Sequence, residues 1–310
     1  MNIGNSMATI RAFMYHDVRD LADTNFPDRY KLRSFITKKQ FRHQIDLIKS
    51  RYVIIKSTDI HNIDLDDDEN DYAVLTFDDG LSDHYYVYKY LKSIGTSATF
   101  LIPSAPVLEQ KMIHSHKIQF ILASVSEELL VQEILENFVN RSEIWDKYSI
   151  TKWKDNWWSK EMIFSTNFLR YHKTPSFDNY AYADHLFEKH VSADAENFIS
   201  NFYLNETQIG EISNNGDMAV GGHGYTSDNL LLIDDVGFDI RESYKLVKRY
   251  SDDFVFSYPN GGFDQNIKNV LKECGCSLSY TVKPMTITNL DSVDYLEFPR
   301  YDGPQKIEVA

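Results

Sequence analysis

Short apolar runs of four to six residues recur along two stretches of the chain, and between them apolar positions fall every three or four residues. Runs bounded by turn residues read as strands, and the longer period reads as amphipathic helices. The first stretch opens with Ile10 to Met14, followed by a helix over Thr37 to Ser50 that turns Phe41, Ile45 and Ile48 to one face behind a Thr37 cap. Tyr52 to Ile55 and Tyr72 to Phe77 are the next strands, with the acidic stretch Asp64 to Asp71 between them as a solvated loop. A helix over Tyr85 to Ile94, stopped by Gly95, leads to the strand Ala98 to Ile102.

The alternation resumes late in the chain. Ala219 to Gly222, Phe254 to Ser257 and Leu278 to Val282 read as strands, with helices over Asp239 to Tyr250 and Gln265 to Glu273 and a last segment Tyr295 to Arg300. Strands alternating with helices imply a parallel sheet or barrel. Between the stretches the pattern turns helical and aromatic: Glu128 to Val139 is amphipathic, and Trp153, Trp157 and Trp158 crowd into six positions. The expected organisation is an α/β barrel formed by residues 8–103 and 210–310, with residues 104–209 as a helical insertion that has its own small core. Trp153 and Trp157, at i and i+4, read as a helix face docking on the barrel rather than as a sugar-stacking platform.

Composition narrows the function classes. With 32 Lys and Arg against 46 Asp and Glu the formal charge is −14, which argues against a phosphate-backbone binder. No apolar run approaches the roughly 18 to 20 residues of a membrane helix; the longest candidates, such as Ile118 to Ala123, are broken by polar residues within a few positions. The first eleven residues carry neither a cationic leader nor an apolar core, so cytoplasmic residence is the expectation. The two cysteines, Cys274 and Cys276, lie too close in sequence to bridge without strain and lack the partners of a zinc site, and are expected to be reduced.

Three segments carry candidate chemistry, each at the end of an expected strand. Thr76-Phe77-Asp78-Asp79-Gly80 places two carboxylates side by side; they repel, and a cation on one with a water proton on the other resolves the conflict. Gly221-Gly222-His223-Gly224-Tyr225-Thr226-Ser227-Asp228 brings an imidazole to a second strand end, and imidazole with carboxylate is a common metal pair. Phe256-Ser257-Tyr258-Pro259-Asn260-Gly261-Gly262 is a turn whose backbone can face a ligand closely. His43, His61, His172, His185 and His190 have no partner spacing and read as surface residues.

In this order, these segments resemble the polysaccharide deacetylase family, the carbohydrate esterases of family 4 that share the nodulation-deacetylase homology domain. Met14-Tyr15-His16-Asp17-Val18 is similar to that family's opening strand in its capsule and biofilm branch. Phe41 to Ile60 is similar to its first helix and following strand, Leu271 to Gly275 to its Leu-Lys-x-Ala-Gly turn, and Leu296 to Arg300 to its terminal Leu-Pro-Arg strand. About two thirds of the chain is covered.

The resemblance implies a distorted (β/α)7-type barrel and metal-assisted hydrolysis of an N-acetyl group on a sugar. Asp78 then matches the catalytic base, Asp79 the first metal ligand and His223 the first histidine of a His-x-x-x-His motif. A divalent metal follows, zinc first, with cobalt, nickel or manganese as alternatives. The metal and a backbone N–H near Tyr258 would steady the oxyanion, and Tyr225, Tyr258, Pro259 and Asn260 would contact substrate.

Departures bear on the site. Ser227 stands where the family has its second histidine, so Asp228 is ranked first as the replacement ligand, with His84, His114 or His116 as others. Ser257-Tyr258-Pro259 lacks the Arg that orients the base in some branches, and no catalytic histidine follows Arg300. The expected substrate is a small molecule or oligosaccharide bearing N-acetyl groups, with a small soluble or nucleotide-linked sugar preferred, and neither nucleic acid nor a membrane span is involved. A barrel without catalysis that binds carbohydrate or protein, and an amide hydrolase on a non-sugar substrate, are the competing readings. Oligomeric state is not specified by the sequence.

Overall fold

A computed structural model describes residues 8–24, 29, 35–65, 70–150 and 158–303. Its strands are β1 (Ile10–Tyr15), β2 (Asp17–Val18), β3 (Phe35–Ile36), β4 (Val53–Ile55), β5 (Tyr72–Asp78), β6 (Ala98–Ile102), β7 (Met218–Gly222), β8 (Phe254–Ser257), β9 (Cys276–Tyr280) and β10 (Tyr301–Asp302). The helices are α1 (Lys38–Lys49), α2 (His84–Ser93), α3 (Ser104–Leu108), α4 (His114–Ser124), α5 (Glu127–Glu136), α6 (Arg141–Tyr148), α7 (Lys160–Tyr171), α8 (Asn179–His190), α9 (Ala195–Phe202), α10 (Glu206–Ser213), α11 (Val236–Val247) and α12 (Gln265–Glu273). The chain divides into two compact units. Among the described residues, 8–20, 35–65, 70–111 and 199–303 form the first, and 21–24, 29, 112–150 and 158–198 the second. Residues 104–111 and 199–209, assigned to the insertion from sequence, thus belong with the sheet, because α10 packs on β7 and α3 on α11.

In the first unit the strands pair in parallel in the order β10-β1-β5-β6-β7-β8-β9. Every residue of β5 is buried, as a strand covered on both faces requires. Its period of two sends Ala73, Leu75 and Phe77 into a layer shared with Phe41, Ile45 and Ile48 of α1 and Val87 and Leu91 of α2. Val74 goes to the opposite face, among Ala12, Leu101, Val255, Leu278 and Tyr280. Thr76 and Asp78 share that inner face by the same period. β1 runs along residues 72–77 of β5, whereas β4 meets residues 72–74 and β6 meets residues 76–78 of its other edge.

The last residues close the circuit. Phe298 N–H donates to the Ser279 carbonyl at 2.9 Å and Thr281 N–H to the Phe298 carbonyl at 2.8 Å, beside β9. Three residues later Tyr301 pairs with Phe13 of β1. Segment 298–302 therefore spans from one end of the sheet to the other, with Arg300 between its two pairings. Residues 295–297, expected as part of a strand, form a 3-10 turn.

Helix ends follow the capping chemistry of the sequence. Thr37 Oγ1 accepts from Gln40 N–H at 3.1 Å while Gln40 Oε1 accepts from Thr37 N–H at 2.9 Å, a reciprocal box that stabilises α1 by about 1 kcal/mol. α11 starts three residues earlier than its apolar spacing predicts, because Asp235 accepts from Phe238 N–H at 2.8 Å and fixes the first turn there. Cys274 and Cys276 are free.

The second unit is helical. α7 packs against α4, α5, α6 and α8, and Phe164 and Phe168 of α7 are fully buried. His172, read from sequence as a surface residue, is 4% exposed. Its ring stacks on Phe168 with centroids 4.6 Å apart, and its Nδ1 lies 3.0 Å from the Tyr148 hydroxyl. Aromatic neighbours from α6 and α7 outweigh the polarity of the imidazole. Trp153 and Trp157 lie outside the described residues, so their docking role is not placed. Among the described residues no helix is long and apolar enough to cross a membrane.

Candidate active site

The site is built from strand ends of the first unit. Asp78 is the last residue of β5 and is 2% exposed. Arg300, 1% exposed, grips it with two bonds: Nη1 donates to Oδ1 at 2.8 Å and Nη2 to Oδ2 at 2.9 Å. The guanidinium is fixed on its other side, with Nη1 donating to Thr76 Oγ1 at 2.9 Å and Nε to the Thr281 carbonyl at 3.1 Å. Burial by itself would raise the Asp78 pKa. The Arg300 charge and its hydrogen bonds overcome burial and hold the carboxyl below its ordinary value, so Asp78 is an ionised, immobilised carboxylate.

Asp79 follows with a φ of 78°, a left-handed conformation that a non-glycine residue adopts at a cost of about 1 kcal/mol or more. The turn points its carboxylate away from Asp78 and toward β7. There Oδ1 lies 3.5 Å from His223 Nε2 and accepts from Ser227 Oγ at 3.1 Å. Ser227 and Asn260 also have positive φ, 58° and 54°. Three of the four such non-glycine residues among those described thus surround one point. Glycine at 221 is required because a Cβ there would come within 2.6 Å of the Val255 carbonyl oxygen, which lets β7 approach β8.

That approach brings Ser257 to His223. Nδ1 of the imidazole lies 2.6 Å from Ser257 Oγ and 3.1 Å from the Ser257 carbonyl oxygen. A carbonyl can only accept, so the proton belongs on Nδ1 and the Nε2 lone pair faces Asp79. Burial lowers the His223 pKa, and the Asp78 and Asp79 carboxylates oppose this without reversing it. Two lone-pair-bearing atoms therefore face each other across 3.5 Å.

The same arrangement of strands occurs in known structures. A polysaccharide deacetylase of Bacillus cereus, BC0361, superposes with a TM-score of 0.56 at 13% identity, over 96% of this chain and 65% of its own. The deacetylase PplD of Streptococcus pyogenes, in complex with acetate, gives 0.55 at 12% identity over 96% and 93%. IcaB of Ammonifex degensii gives 0.54 at 15% identity over 96% and 95%. The fold is that of the polysaccharide deacetylases. This chain spans about two thirds of the Bacillus protein's length. No family model and no curated protein matches the sequence.

On this deacetylase fold the sequence candidates separate. Asp78, Asp79 and His223 meet as their motifs suggest. Asp228 does not join them: among the described residues no three His, Cys, Asp or Glu side chains gather around one point, and the Asp228 charge is felt instead by Asp239. His84 directs Nε2 to the His16 carbonyl at 2.9 Å and is wedged between Phe77 and Phe100. His114 turns its Nε2 to the Leu169 carbonyl at 2.9 Å, and His116 is buried in the same unit, the second.

Tyr258 is 1% exposed, its hydroxyl donating to the Leu296 carbonyl and its backbone N–H to the Tyr280 carbonyl, so neither is open to an oxyanion. Strand alternation explains the correction. Ser257 faces inward, and Tyr258 falls with Phe254, Phe256 and Ile267 on the helix side. Pro259 is buried beside it. Asn260 is exposed and donates to the Ser227 carbonyl at 3.4 Å, and Tyr225 is tied by its hydroxyl to Glu109 at 2.6 Å.

Sequence reasoning missed three contributors: Arg300, Ser257 and His16. A signal for Arg300 existed, since a buried carboxylate pair needs a cation and the Ser257-Tyr258-Pro259 segment supplies none. His16 follows β1 as Asp79 follows β5; it is half-buried and lies within electrostatic range of both Asp78 and His223.

The donor set can be tested against the implied metal. Asp79 Oδ1 and His223 Nε2 are both acceptors, and two ligands roughly 2.0–2.2 Å from one ion can span 3.5 Å. They fit a divalent ion as a pair, with Ser227 in place of a third strong ligand.

Proposed function

We propose that this chain is a metal-dependent carbohydrate N-deacetylase. The observation that carries the reading is the buried carboxylate Asp78, clamped by Arg300, beside a second carboxylate that faces an imidazole lone pair at one end of this fold. The acetate in the PplD structure is the acid such a reaction releases. Asp79 and His223 would hold the metal, zinc in the first place. Bound there, a divalent ion would polarise the acetamide oxygen and acidify water.

The chain's own residues do the rest. Each Asp78 oxygen keeps a second lone pair while Arg300 holds the first, so the carboxylate can take the proton of the attacking water as its oxygen bonds to the acetyl carbon. Ser257 keeps the His223 proton on Nδ1. The proton taken up by Asp78 passes on to the nitrogen as the C–N bond breaks, leaving a free amine and acetate. The preferred substrate is a small soluble or nucleotide-linked N-acetyl sugar, a choice that rests on the length of the inserted segment.

The test combines metal analysis with acetate release from monosaccharide, nucleotide-linked and oligosaccharide N-acetyl substrates. Wild type should retain about one ion per chain and release acetate. Asp79→Ala and His223→Ala should lose both, and Asp78→Asn should keep the ion while losing about 10²–10⁴-fold in rate. A metal-free wild type that releases no acetate on metal addition would overturn the proposal in favour of a binding module.

A further inference from the structure

Behind Arg300 lies a column of polar side chains that none of the motifs marked. The guanidinium carbon sits 5.3 Å from the centroid of the Tyr280 ring, so its outer hydrogen bonds to Asp78, Thr76 and Thr281 are made with one face backed by an aromatic surface. The ring is held in turn. Its hydroxyl lies 2.6 Å from Ser57 Oγ, which donates at 2.7 Å to Thr99 Oγ1, and Thr99 pairs across β5 and β6 with Thr76. Phe298, two residues before Arg300, packs edge-on against the same ring at 5.7 Å. Tyr280, Ser57 and Thr99 are all fully buried.

We infer that Tyr280, tethered through Ser57 to Thr99, is a positioning residue that fixes the plane of the Arg300 guanidinium and through it the attitude of Asp78. A hydroxyl-to-hydroxyl chain is a costly way to fill a barrel interior, because each polar group must find its partner. Leu or Phe would pack the same space. The tyrosine adds a ring whose position is set at both ends, by Phe298 and by Ser57. A guanidinium free to tilt would still neutralise Asp78 but would present its oxygens in a spread of directions, and positioning losses of this kind fall on kcat.

The inference rests on the deacetylase reading, and the experiment separates the two. Tyr280→Phe keeps the ring and loses the tether, and Ser57→Ala loses the tether from the other side. Each should lower kcat for acetate release about two- to fivefold with KM unchanged, and the double variant should lose no more than either single one, since both remove one hydrogen bond. Tyr280→Leu should lose about 10- to 100-fold in kcat. Losses in the two single variants that multiply, or a Tyr280→Phe variant with wild-type kcat, would overturn the inference. If wild type releases no acetate, the deacetylase reading falls and a urea-unfolding cycle of Tyr280→Leu with Arg300→Lys decides alone. Coupling of about fivefold or more in the folding constant upholds the contact, and strict additivity overturns it.

Discussion

Replacing Arg300 by methionine removes a cation of similar length from a site 1% exposed and leaves Asp78 buried without its partner. Two charge-assisted bonds, at 2.8 and 2.9 Å, are lost, and the Thr281 carbonyl loses its donor. Breaking one side of a buried ion pair costs about 3–5 kcal/mol, because the surviving charge is stranded. The cost depends on pH with a definite sign. In wild type Asp78 lies below its ordinary value near 3.8, so its contribution is present above that value and is lost as pH falls through the folded one. In the variant burial is no longer opposed by Arg300 and raises Asp78. Stability there is lost as pH rises through the raised value.

The gap between the proteins should therefore be about 4 kcal/mol at pH 8 and smaller at pH 5. Urea unfolding followed by circular dichroism, with EDTA present to remove cations, reads this as a midpoint shift of about 1.3 M at pH 8 for a slope of about 3 kcal/mol/M. A shift under about 0.3 M, or one equal at both pH values, would refute the account of Asp78 and Arg300 as a buried, mutually dependent pair.

Three further outcomes follow from other residues. Burial pushes Asp239 up to about 6 despite the Tyr225 and Thr226 N–H groups that donate to it, so wild type should lose stability as pH rises from 3.8 to 6. The span from 3.8 to about 6, at about 1.4 kcal/mol per unit, makes this about 3 kcal/mol relative to Asp239→Asn, and parallel pH-stability curves would contradict it. Asn260→Gly should be more stable than Asn260→Ala by about 1 kcal/mol, because φ of 54° suits glycine and not alanine; calorimetry showing the reverse order would deny the strain. In the second unit burial lowers the His172 pKa, so that unit should lose stability as pH falls below the ordinary value of 6.5, and His172→Phe should remove this dependence, as hydrogen exchange of α7 can show.

Much of the sheet was legible because parallel strands covered on both faces are continuous apolar runs, and the Thr76 to Gly80 and Gly221 to Ser227 segments announced themselves by polar residues at the ends of such runs. Local pattern and capping also fixed the type of α1, α2 and α12. Which way a strand-end side chain points is a matter of register. Alternation from Phe254 sends Ser257 inward and Tyr258 into the helix layer, and counting back from the strand would have shown it. The tertiary structure alone decided what the closing segment does: Phe298 pairs beside β9, Tyr301 beside β1, and Arg300 is carried between them onto Asp78, 222 residues away in the chain. It also decided that His84 turns to the His16 carbonyl. Hydrophobic period and turn chemistry act over a few residues and can be read locally, whereas the pairing of a buried charge depends on where distant segments meet.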